Sequence, residues 1–491
     1  MKLEDLVACL GEKEIRGTLD VDISQVVCDS RKVLGGALFF CIRGYKVDGH
    51  AFLKDAVGRG AQAAVVSEFS KGLSGITQVK VPDVRKAMAL LGARYYGNPA
   101  GKLSLIGVTG TNGKSTSAIL IAELLKRAGM KSGLIGTIYT QIGERIYPSS
   151  LTTPDSLDLQ KLLSTMVHKK IKYVAMEVSS HSLALDRVYG CHFQVALFTN
   201  LTQDHLDFHK TLESYFQAKR KLFEYLKGSG TAVINGDDPW AGRILDHADS
   251  SCLTYGLGKD CRIRAEDVET RLDGTSFNLC TPWGNSKIEL QLLGLFNVYN
   301  SLGAIASALS LGLELSEVSE IIRSIPPIRG RFETINAGQD FTVVVDYAHT
   351  PDGIINILKA ARALNPHRLI VVFGCGGDRD KTKRPLMGQA AVSLADMAIV
   401  TSDNPRSEEP EAIIRDIEEG MTGKDYLVEV DRRKAIQRAL SIASKGDIVV
   451  IAGKGHENYQ IFRDKKIHFD DAETAREFLE NREKNGASAD H

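Results

Sequence analysis

The sequence has no hydrophobic run long enough to cross a membrane and no excess of charge of one sign. Its apolar runs, such as LIVVF and DIVVIAG, are short, whereas a membrane-spanning helix needs about 20 predominantly apolar residues. Lysine plus arginine and aspartate plus glutamate number 61 each. Balanced charge creates no field that attracts nucleic acid or an anionic membrane. We therefore expect an enzyme that acts on small molecules, without nucleic-acid or membrane partners.

Cysteine is scarce and lacks the spacing of metal-binding motifs. The eight cysteines include no C-x-x-C pair, so reduced thiols explain them better than disulfides or zinc. The first residues, MKLEDLVACLGEKEIRG, contain acids and no uninterrupted apolar core. They predict an ordinary first helix rather than a signal peptide. We expect a cytoplasmic protein.

Two series of segments combine a short apolar run, a polar or glycine turn and a helical period, as βα units do. The first contains KLSLIGVTG, KYVAMEVSS, QVALFTN and GTAVING, and the second contains FTVVVDYA, RLIVVFGCGG, MAIVTSDN and DIVVIAGKG. They predict an α/β fold with mostly parallel, helix-covered sheets. At 491 residues the chain exceeds what one hydrophobic core supports. Turn residues suggest boundaries for three domains, at 1–98, 99–331 and 332–491.

The stretch GVTGTNGKSTS follows an apolar run and precedes a helical one. Glycines before a helix let backbone N–H groups surround phosphate oxygens, and the helix N-terminus adds partial positive charge. Lys114 would reach the β- and γ-phosphates, and Ser115 would bind Mg²⁺. The usual G-x-x-x-x-G-K-[ST] spacing is not met, because Val108 replaces the first glycine. A glycine-rich turn without a ligand is the alternative, and the Lys-Ser pair favours nucleotide binding.

Acidic and histidine residues follow two other buried-strand segments. Glu177 ends KYVAMEVSS, where a P-loop fold places a carboxylate near the metal. The segment NLTQDHLDFH contains His205, His209, Asp204 and Asp207. This cluster favours a metal or phosphate environment over an exposed helix cap.

Six motifs occur in this order along the chain: T-G-T-N-G-K-S-T (109–116), E-V-S-S-H-S-L (177–183), N-L-T-Q-D-H-L-D-F-H (200–209), L-G-L-F-N-V-Y-N (293–300), G-R-F-E (330–333) and D-Y-A-H-T-P (346–351). Together they resemble the Mur ligase family, the ATP-dependent peptide-bond formers of peptidoglycan precursor synthesis. The resemblance spans nearly the whole chain. It implies an N-terminal UDP-substrate-binding domain, a central P-loop ATPase domain, and a C-terminal Rossmann-like domain that binds an amino acid.

The resemblance also assigns the ATP and Mg²⁺ sites. The residues implied to bind ATP are Gly110, Thr111, Asn112, Gly113, Lys114, Ser115, Thr116, Asn297, Asn300, Arg331, Asp346 and His349. Those implied at the metal sites are Ser115, Glu177, His205 and Lys219. Lys219 matches a lysine that family members carbamylate, which replaces a cation by an anion suited to Mg²⁺. The expected catalytic residues are Lys114, Glu177, His205 and Lys219. Without the resemblance, Lys219 would be interpreted as a solvated lysine on a helix.

The substrate contacts follow from the same resemblance, and most closely from the branch that adds the third residue of the peptide. They are Ser30, Thr152, Thr153, Ser179, Arg187, Arg379, Asp403, Asn404, Pro405, Arg406, Gly453 and Glu457. Leu185 stands where many members have glutamine. The D-N-P-R tetrapeptide beginning at Asp403 matches members that add meso-diaminopimelate. A guanidinium can bind its distal carboxylate, which lysine lacks; otherwise Arg406 would pair at the surface with Glu408 or Glu409.

These features predict an ATP-dependent ligase that adds meso-diaminopimelate to the D-glutamate of UDP-N-acetylmuramoyl-L-alanyl-D-glutamate. We expect a monomer. Related alternatives are a lysine-adding ligase, a D-alanyl-D-alanine-adding ligase and a folylpolyglutamate synthetase. A nucleotide-binding regulatory ATPase that forms no bond is an alternative of another class. The D-N-P-R and G-K-G-H-E motifs have no evident purpose in such an ATPase.

Overall fold

The computed structural model describes residues 1–44, 47–73, 75–246 and 251–487. Within them, three large sheets with their helices follow one another along the chain, and a two-stranded ribbon lies near the end. The strand orders of the large sheets are β1-β5-β4-β3-β2, β16-β15-β14-β13-β12-β11-β6-β10-β7-β8-β9 and β17-β18-β22-β19-β20-β21. Each sheet uses one continuous stretch of sequence.

The first sheet is parallel except for β1, which runs antiparallel to β5. Its strands are β1 (Glu14–Arg16), β2 (Gln25–Val27), β3 (Ala37–Phe40), β4 (Ala61–Val66) and β5 (Thr77–Lys80). The helices are α1 (Leu3–Val7), α2 (Leu53–Gly58) and α3 (Val84–Tyr95). Successive residues Phe39 and Phe40 are buried in separate hydrophobic clusters on opposite faces of β3. Burial on both faces explains why this strand reads as a continuous apolar run.

The central sheet is parallel in the middle and antiparallel at both edges. Its strands are β6 (Ser104–Thr109), β7 (Ser132–Ile135), β8 (Tyr139–Ile142), β9 (Arg145–Pro148), β10 (Tyr173–Glu177), β11 (Phe193–Phe198), β12 (Leu226–Asn235), β13 (Ser251–Gly256), β14 (Ile263–Arg271), β15 (Gly274–Thr281) and β16 (Gly284–Leu290). The strand before the glycine-rich loop, β6, pairs in parallel with β10 and β11. The carboxyl ends of all three strands therefore meet at one edge.

Helices cover the two faces of the central sheet. They are α4 (Lys114–Arg127), α5 (Ser156–His168), α6 (Ser180–Ala184), α7 (Leu206–His209), α8 (Leu212–Glu224), α9 (Ala241–Leu245), α10 (Leu295–Ser310) and α11 (Leu315–Arg323). The helix after the loop, α4, is buried along most of its length and packs beside α10. It ends where Gly129 adopts φ +75°, a left-handed conformation that favours glycine after a helix. This packing fixes the N-terminus of α4 at the sheet edge.

The third sheet is parallel except for β17. The strands are β17 (Glu333–Ile335), β18 (Thr342–Asp346), β19 (Leu369–Phe373), β20 (Met397–Val400), β21 (Tyr426–Val428) and β22 (Ile448–Ala452), and the ribbon is β23 (Tyr459–Phe462) with β24 (Lys465–His468). The helices are α12 (Pro351–Arg362), α13 (Lys383–Leu394), α14 (Pro410–Glu418), α15 (Arg432–Ile442) and α16 (Asp471–Ala487). Parallel β18, β19, β20 and β22 end at one edge, where open α/β sheets bind ligands.

None of the helices in the described ranges is both long and apolar enough to cross a membrane. The predicted α/β class is confirmed, and every strand inferred from the two sequence series is present. The antiparallel additions β8–β9, β14–β16 and β23–β24 were not predicted. They form hairpins at sheet edges or beyond them, where burial on one side leaves a weaker sequence pattern than a buried parallel strand does.

Candidate active site

A cavity of about 1280 Å³ lies between the central and C-terminal sheets. It exceeds the usual range for one small ligand, about 300–1000 Å³. The predicted residues that line it are Thr111, Asn112, Gly113, Lys114, Ser115, Thr116, Thr152, Glu177, Ser179, His205, Lys219, Asn300, Arg331, Asp346, His349, Arg379, Asp403, Asn404, Arg406, Gly453 and Glu457. Residues predicted to act on nucleotide and on amino acid thus share one space.

Six predicted residues lie outside this lining among the described residues: Gly110, Thr153, Arg187, Asn297, Pro405 and Ser30. Most of them contact residues that do line it. Gly110 accepts hydrogen bonds from two lysines of the site, and Asn297 accepts one from Asn300. Ser30 belongs to the N-terminal layer, in a short 3-10 turn at residues 30–32. The cavity therefore does not include the predicted UDP-sugar contact.

The glycine-rich loop has a backbone that side chains would obstruct. Gly110 and Gly113 have φ +151° and +84°. A Cβ atom on Gly110 would lie 1.8 Å from Thr199 Oγ1, and one on Gly113 would lie 2.2 Å from Asn300 Oδ1. Asn200 fixes the loop, because its carbonyl and side-chain oxygens accept the N–H groups of Thr111 and Asn112, each at 2.9 Å. The loop is thus preorganised before α4.

Two buried lysines approach the same loop from different elements. The Nζ of Lys114 donates to the carbonyls of Gly110 and Thr111 at 2.9 and 2.7 Å. The Nζ of Lys219, on α8, donates to Gly110 at 2.6 Å and lies 4.3 Å from the ring centre of Tyr215. Burial lowers the pKa of both ammonium groups, and Lys114 further lowers the pKa of Lys219, which falls well below its usual value. The site therefore favours an uncharged Lys219 amine.

Glu177 is held at the end of β10 by groups from two other segments. Ser115 Oγ donates to Glu177 Oε2 at 2.9 Å, and Thr137 donates to the same carboxylate through Oγ1 at 3.0 Å and through its backbone N–H at 2.6 Å. Thr137 Oγ1 also lies 3.0 Å from Thr152 Oγ1. Arg331 Nη2 donates to Ser115 Oγ at 3.1 Å. One network thus joins the loop, the predicted metal carboxylate and the predicted substrate loop.

The histidine-rich segment packs as a cluster of rings beside this network. The ring of His181 lies 4.8 Å from that of His205 and 5.5 Å from that of His209. His209 Nε2 is 2.9 Å from Ser180 Oγ. Burial lowers the pKa of His205 even though Asp204 is only 3.4 Å from its Nε2. A neutral imidazole retains the lone pair that a metal ligand requires.

The donors fit a magnesium ion that is bound together with phosphate. Across the described ranges, no three His, Cys, Asp or Glu side chains are grouped closely enough to hold a metal by themselves. The Ser115 hydroxyl and Glu177 carboxylate are nevertheless adjacent at the head of the loop. Mg²⁺ is commonly bound by one or two carboxylates plus substrate phosphates and water. The protein donor set suits that arrangement rather than a closed protein cage.

The C-terminal unit reaches the loop through side chains that the sequence motifs did not single out. Asp352, in the first turn of α12, accepts a hydrogen bond from Asn112 Nδ2 at 2.7 Å and one from Asn356 Nδ2 at 3.0 Å. Lys383 Nζ donates to the His349 carbonyl at 3.0 Å. Burial lowers the pKa of His349 to about 4. The C-terminal unit is therefore in direct contact with the loop.

The predicted amino-acid pocket forms from the loops after β19, β20 and β22. Arg406 adopts φ +54°, and its Nη1 donates to the Gly377 carbonyl at 2.7 Å. Asn404 Nδ2 donates to Glu457 Oε2 at 2.9 Å, and the buried Lys454 ammonium lies 3.2 Å from the same oxygen. The guanidinium, the amide and the carboxylate line the same cavity, and such a set complements a group that carries both charges.

Among the described residues, Arg406 forms no ion pair with Glu408 or Glu409, the surface alternative considered for it. Glu408 instead pairs with Arg384 at 2.8 Å, and Glu409 contacts Arg463. The carboxylates nearest in sequence are therefore engaged elsewhere. Arg406 lines the cavity, and within the described part of the chain its guanidinium donates to a backbone carbonyl, that of Gly377.

Hydrogen bonds connect the predicted substrate loop to the end of β10. Thr153 Oγ1 donates to the Glu177 carbonyl at 2.8 Å, and Ser179 caps α6 by accepting the Ser182 N–H at 3.1 Å. Arg187 donates to the Thr153 carbonyl at 3.0 Å and pairs with Asp155 at 2.9 Å. These contacts bring Thr152 to the cavity wall.

Sequence reasoning missed four residues that make contacts in the site: Thr137, Asn200, Asp352 and Lys454. Asn200 and Lys454 lie inside the motifs N-L-T-Q-D-H and G-K-G-H-E. Their polar side chains within these motifs could have identified them as site residues. Asp352 follows the D-Y-A-H-T-P motif directly. Thr137 had no local signal, because its role depends on the pairing of β7 with β10.

A P-loop at the edge of a mostly parallel sheet, facing a second α/β unit across a shared cavity, defines a nucleotide-dependent enzyme that brings several substrates together. Three family models match the chain: "Mur ligase family, catalytic domain" over residues 22–96, "Mur ligase middle domain" over residues 108–308, and "Mur ligase, glutamate ligase domain" over residues 330–455.

Relatives extend this match over 98% of the chain. The Clostridium acetobutylicum protein named UDP-N-acetylmuramoyl-L-alanyl-D-glutamate--2,6-diaminopimelate ligase 1 is 49% identical over 98% of this chain and 99% of its own length. The Geobacillus thermodenitrificans ligase of the same name, without the numeral, is 48% identical over 98% of this chain and 100% of its own. A solved structure of such a ligase is 35% identical, with a TM-score of 0.71 over 98% of this chain and 99% of that one.

The chain therefore belongs to the Mur ligase family, the ATP-dependent ligases of peptidoglycan precursor synthesis. The predicted family and enzyme class are confirmed. The three-domain α/β architecture is also that of the Mur ligase structures it resembles.

The contact between Asn112 and Asp352 predicts a specific kinetic effect. Asp352→Ala removes the hydrogen bond that joins the C-terminal unit to the loop, and hydrogen bonds to charged groups contribute about 1.5–3 kcal/mol. We expect the KM for ATP to rise about tenfold or more, with little change in thermal stability. Initial-rate kinetics at saturating concentrations of the other substrates measure this.

Asn356→Ala provides the matched control, because Asn356 contacts Asp352 from within α12. This variant should leave the KM for ATP within about twofold of the original, a change below 1 kcal/mol. An unchanged KM for ATP in Asp352→Ala would show that the contact does not contribute to nucleotide binding.

Proposed function

We propose that the protein joins meso-diaminopimelate to the γ-carboxylate of D-glutamate in UDP-N-acetylmuramoyl-L-alanyl-D-glutamate, at the expense of ATP. The observation that carries this proposal is that the glycine-rich loop and the loop of Arg406 line one cavity. The names of full-length relatives, which are 45–49% identical, support the same reaction.

The first step activates a poor electrophile. The γ-phosphoryl group of ATP transfers to a carboxylate oxygen of D-glutamate, giving an acyl phosphate and ADP. Lys114 and the N–H groups at the start of α4 stabilise the negative charge on the transferring group. A magnesium ion held by Ser115 and Glu177 would supply further neutralisation of that charge. Arg331, which contacts Ser115, adds positive charge from the C-terminal side.

The second step forms the peptide bond. The neutral α-amine at the L-centre of diaminopimelate attacks the acyl carbon. The tetrahedral intermediate then releases phosphate, and the amine loses its proton. Positioning is the main contribution of the protein to this step, because bound reactants avoid the entropic cost of meeting in solution. The shared cavity provides the space in which nucleotide, carboxylate and amine meet.

Selection of the amino acid depends on the D-N-P-R loop in this proposal. Arg406 binds the distal carboxylate of diaminopimelate, and Glu457 with Asn404 accommodates the neighbouring amino group. L-lysine has the amino group and lacks the carboxylate, so it would leave the guanidinium without its partner. The carboxylates nearest to Arg406 in sequence, Glu408 and Glu409, are paired with other arginines, which keeps the guanidinium available.

Lys219 is proposed to carry a carbamate. Carbamate formation requires an uncharged amine, and burial together with Lys114 lowers the pKa of Lys219 well below its usual value. The reaction joins the amine nitrogen to the carbon of CO₂ and releases one proton. The resulting anion would lie near Lys114 and the loop, where it would serve as an oxygen ligand for magnesium.

The three domain boundaries, the monomeric state, the cytoplasmic location and the absence of nucleic-acid and membrane partners stay predictions. So do the individual roles of the site residues. The equal numbers of acidic and basic residues remain the support for the absence of polyanionic partners.

The reaction can be tested by phosphate release. With ATP and Mg²⁺ present, release should require both the UDP-muramoyl dipeptide and meso-diaminopimelate, and mass spectrometry should detect the tripeptide product. Replacement of diaminopimelate by L-lysine should lower kcat/KM strongly. ATP hydrolysis that is independent of both substrates would instead support a regulatory ATPase.

The role of Arg406 predicts a selective loss. Arg406→Ala should raise the KM for diaminopimelate about tenfold to a hundredfold, since a charge-assisted hydrogen bond contributes about 1.5–3 kcal/mol. The KM for ATP should stay nearly constant. Arg463→Ala is the control, because Arg463 is a nearby exposed arginine that contacts Glu409. Equal effects of both substitutions would argue for a general loss of positive charge rather than a specific contact.

The role of Lys219 predicts dependence on carboxylate chemistry. Lys219→Ala should abolish activity, and short carboxylic acids added to the assay should restore part of it by replacing the carbamate. Mass spectrometry of the original protein in bicarbonate should show a carbamate on Lys219. Lys221→Ala, on the same helix, should retain activity without added acid. An active, metal-bound protein with unmodified Lys219 would contradict this assignment.

A further inference from the structure

Arg432 and Asp471 form a fully buried ion pair behind the amino-acid pocket. Arg432 begins α15 and Asp471 begins α16. Arg432 Nε lies 2.8 Å from Asp471 Oδ1, and Nη2 lies 2.7 Å from Oδ2. Both side chains have 0% exposure. Such a pair is costly to desolvate and is a weak contributor to stability by itself, so stability alone does not account for its burial.

The remaining guanidinium N–H groups connect the two strands that lead into the pocket. Arg432 Nη2 donates to the Ala452 carbonyl at 2.9 Å, and Nη1 donates to the Ser402 carbonyl at 3.4 Å. Ala452 ends β22 and immediately precedes Gly453. Ser402 immediately precedes Asp403. In the sheet, β19 separates β20 from β22, so the arginine spans a gap between strands that do not pair with each other.

Besides donating to the carbonyls that precede Asp403 and Gly453, Arg432 lies close to these two pocket residues themselves. A Cβ on Gly453 would lie 2.8 Å from Asp403 Oδ2 and 3.8 Å from Arg432 Nη2. Gly453 has φ +120°, so the approach of these loops depends on a residue without a side chain. Burial by itself would raise the pKa of Asp403, but Lys454 and Arg432 lower it. The pair therefore influences both the position and the charge of this carboxylate.

We propose that the Arg432–Asp471 pair is a positioning device for the amino-acid substrate, holding the Asp403–Arg406 loop and the Gly453–Glu457 loop at a fixed separation. The planar guanidinium is suited to this role because it binds the carboxylate through two hydrogen bonds and still donates to two carbonyls. Neither residue lines the cavity. The inference rests on the proposed function, since it concerns where that reaction binds diaminopimelate.

The test compares Arg432→Lys and Asp471→Asn with the original protein. Arg432→Lys keeps the charge and loses the paired hydrogen bonds to the carboxylate, and Asp471→Asn keeps the size and loses the charge. Because small displacements of binding groups have large kinetic effects, we expect the KM for diaminopimelate to rise about tenfold. The KM for ATP and the KM for the UDP-muramoyl dipeptide should remain within about twofold. The preference for diaminopimelate over L-lysine should fall, because the loops no longer hold a single separation.

A second ion pair of the C-terminal unit supplies the control. Arg368 Nη2 lies 2.6 Å from Asp447 Oδ2, at the amino ends of β19 and β22 and so at the edge away from the cavity. Arg368→Lys should lower the melting temperature without altering the KM for diaminopimelate. This control separates a loss of general stability from a loss of positioning, because both pairs connect elements of one domain.

The possible outcomes distinguish the inference from the function on which it rests. No diaminopimelate-dependent turnover in the original protein would refute the proposed function. With turnover established, an unchanged KM for diaminopimelate in Arg432→Lys and Asp471→Asn would overturn the positioning role, as would equal increases in all three KM values. Failure of both variants to fold would also overturn it, because the pair would then be a requirement of the domain rather than of its pocket.

Discussion

The structure depends on a contact between two sheet edges: the glycine-rich loop after β6 must meet the loops that end the C-terminal strands. Arg331 reaches Ser115, and Asp352 reaches Asn112. A phosphate-binding loop exposed to water would hold a nucleotide and could do little to direct it. When a second unit covers the loop, water is displaced and the charges around the phosphates interact more strongly. The remaining features of the cavity follow from that meeting.

Burial of cations is the electrostatic consequence of this arrangement. Lys114 and Lys219 both lie against Gly110, and burial lowers the pKa of each. Two ammonium groups at one carbonyl would repel each other, so Lys114 adds to burial in favouring the uncharged form of Lys219. The proposed triphosphate would balance the positive charge of Lys114, and the proposed carbamate would replace the Lys219 amine by an anion. In the C-terminal pocket, by contrast, Arg406 and Lys454 already have carbonyl or carboxylate partners, and in our proposal selectivity there depends on the geometry of two loops.

The sequence predicted the buried parallel strands well, since continuous apolar runs followed by turns are strong local signals. It also located the loop around Lys114 and, through the resemblance, the family that the comparisons confirm. It did not reveal the antiparallel hairpins such as β8–β9, whose exposed strand carries little periodic burial. Thr137 and Arg432 were not identified for another reason: neither lies in a motif that indicates its chemistry. Thr137 acts through Glu177, 40 residues away in sequence, and Arg432 acts through Ala452, 20 residues away.

The sequence by itself determined the type of chemistry, because phosphate binding needs glycines, a lysine and a hydroxyl at short, fixed spacing before a helix. The same holds for the D-N-P-R tetrapeptide, which carries its charged groups within a few residues. Only the tertiary structure decided that these segments share one cavity, that Glu408 and Glu409 leave Arg406 available, and that Arg432 joins two pocket loops. Those relations are distances between residues far apart along the chain, and they are set by how sheets and helices pack rather than by local sequence.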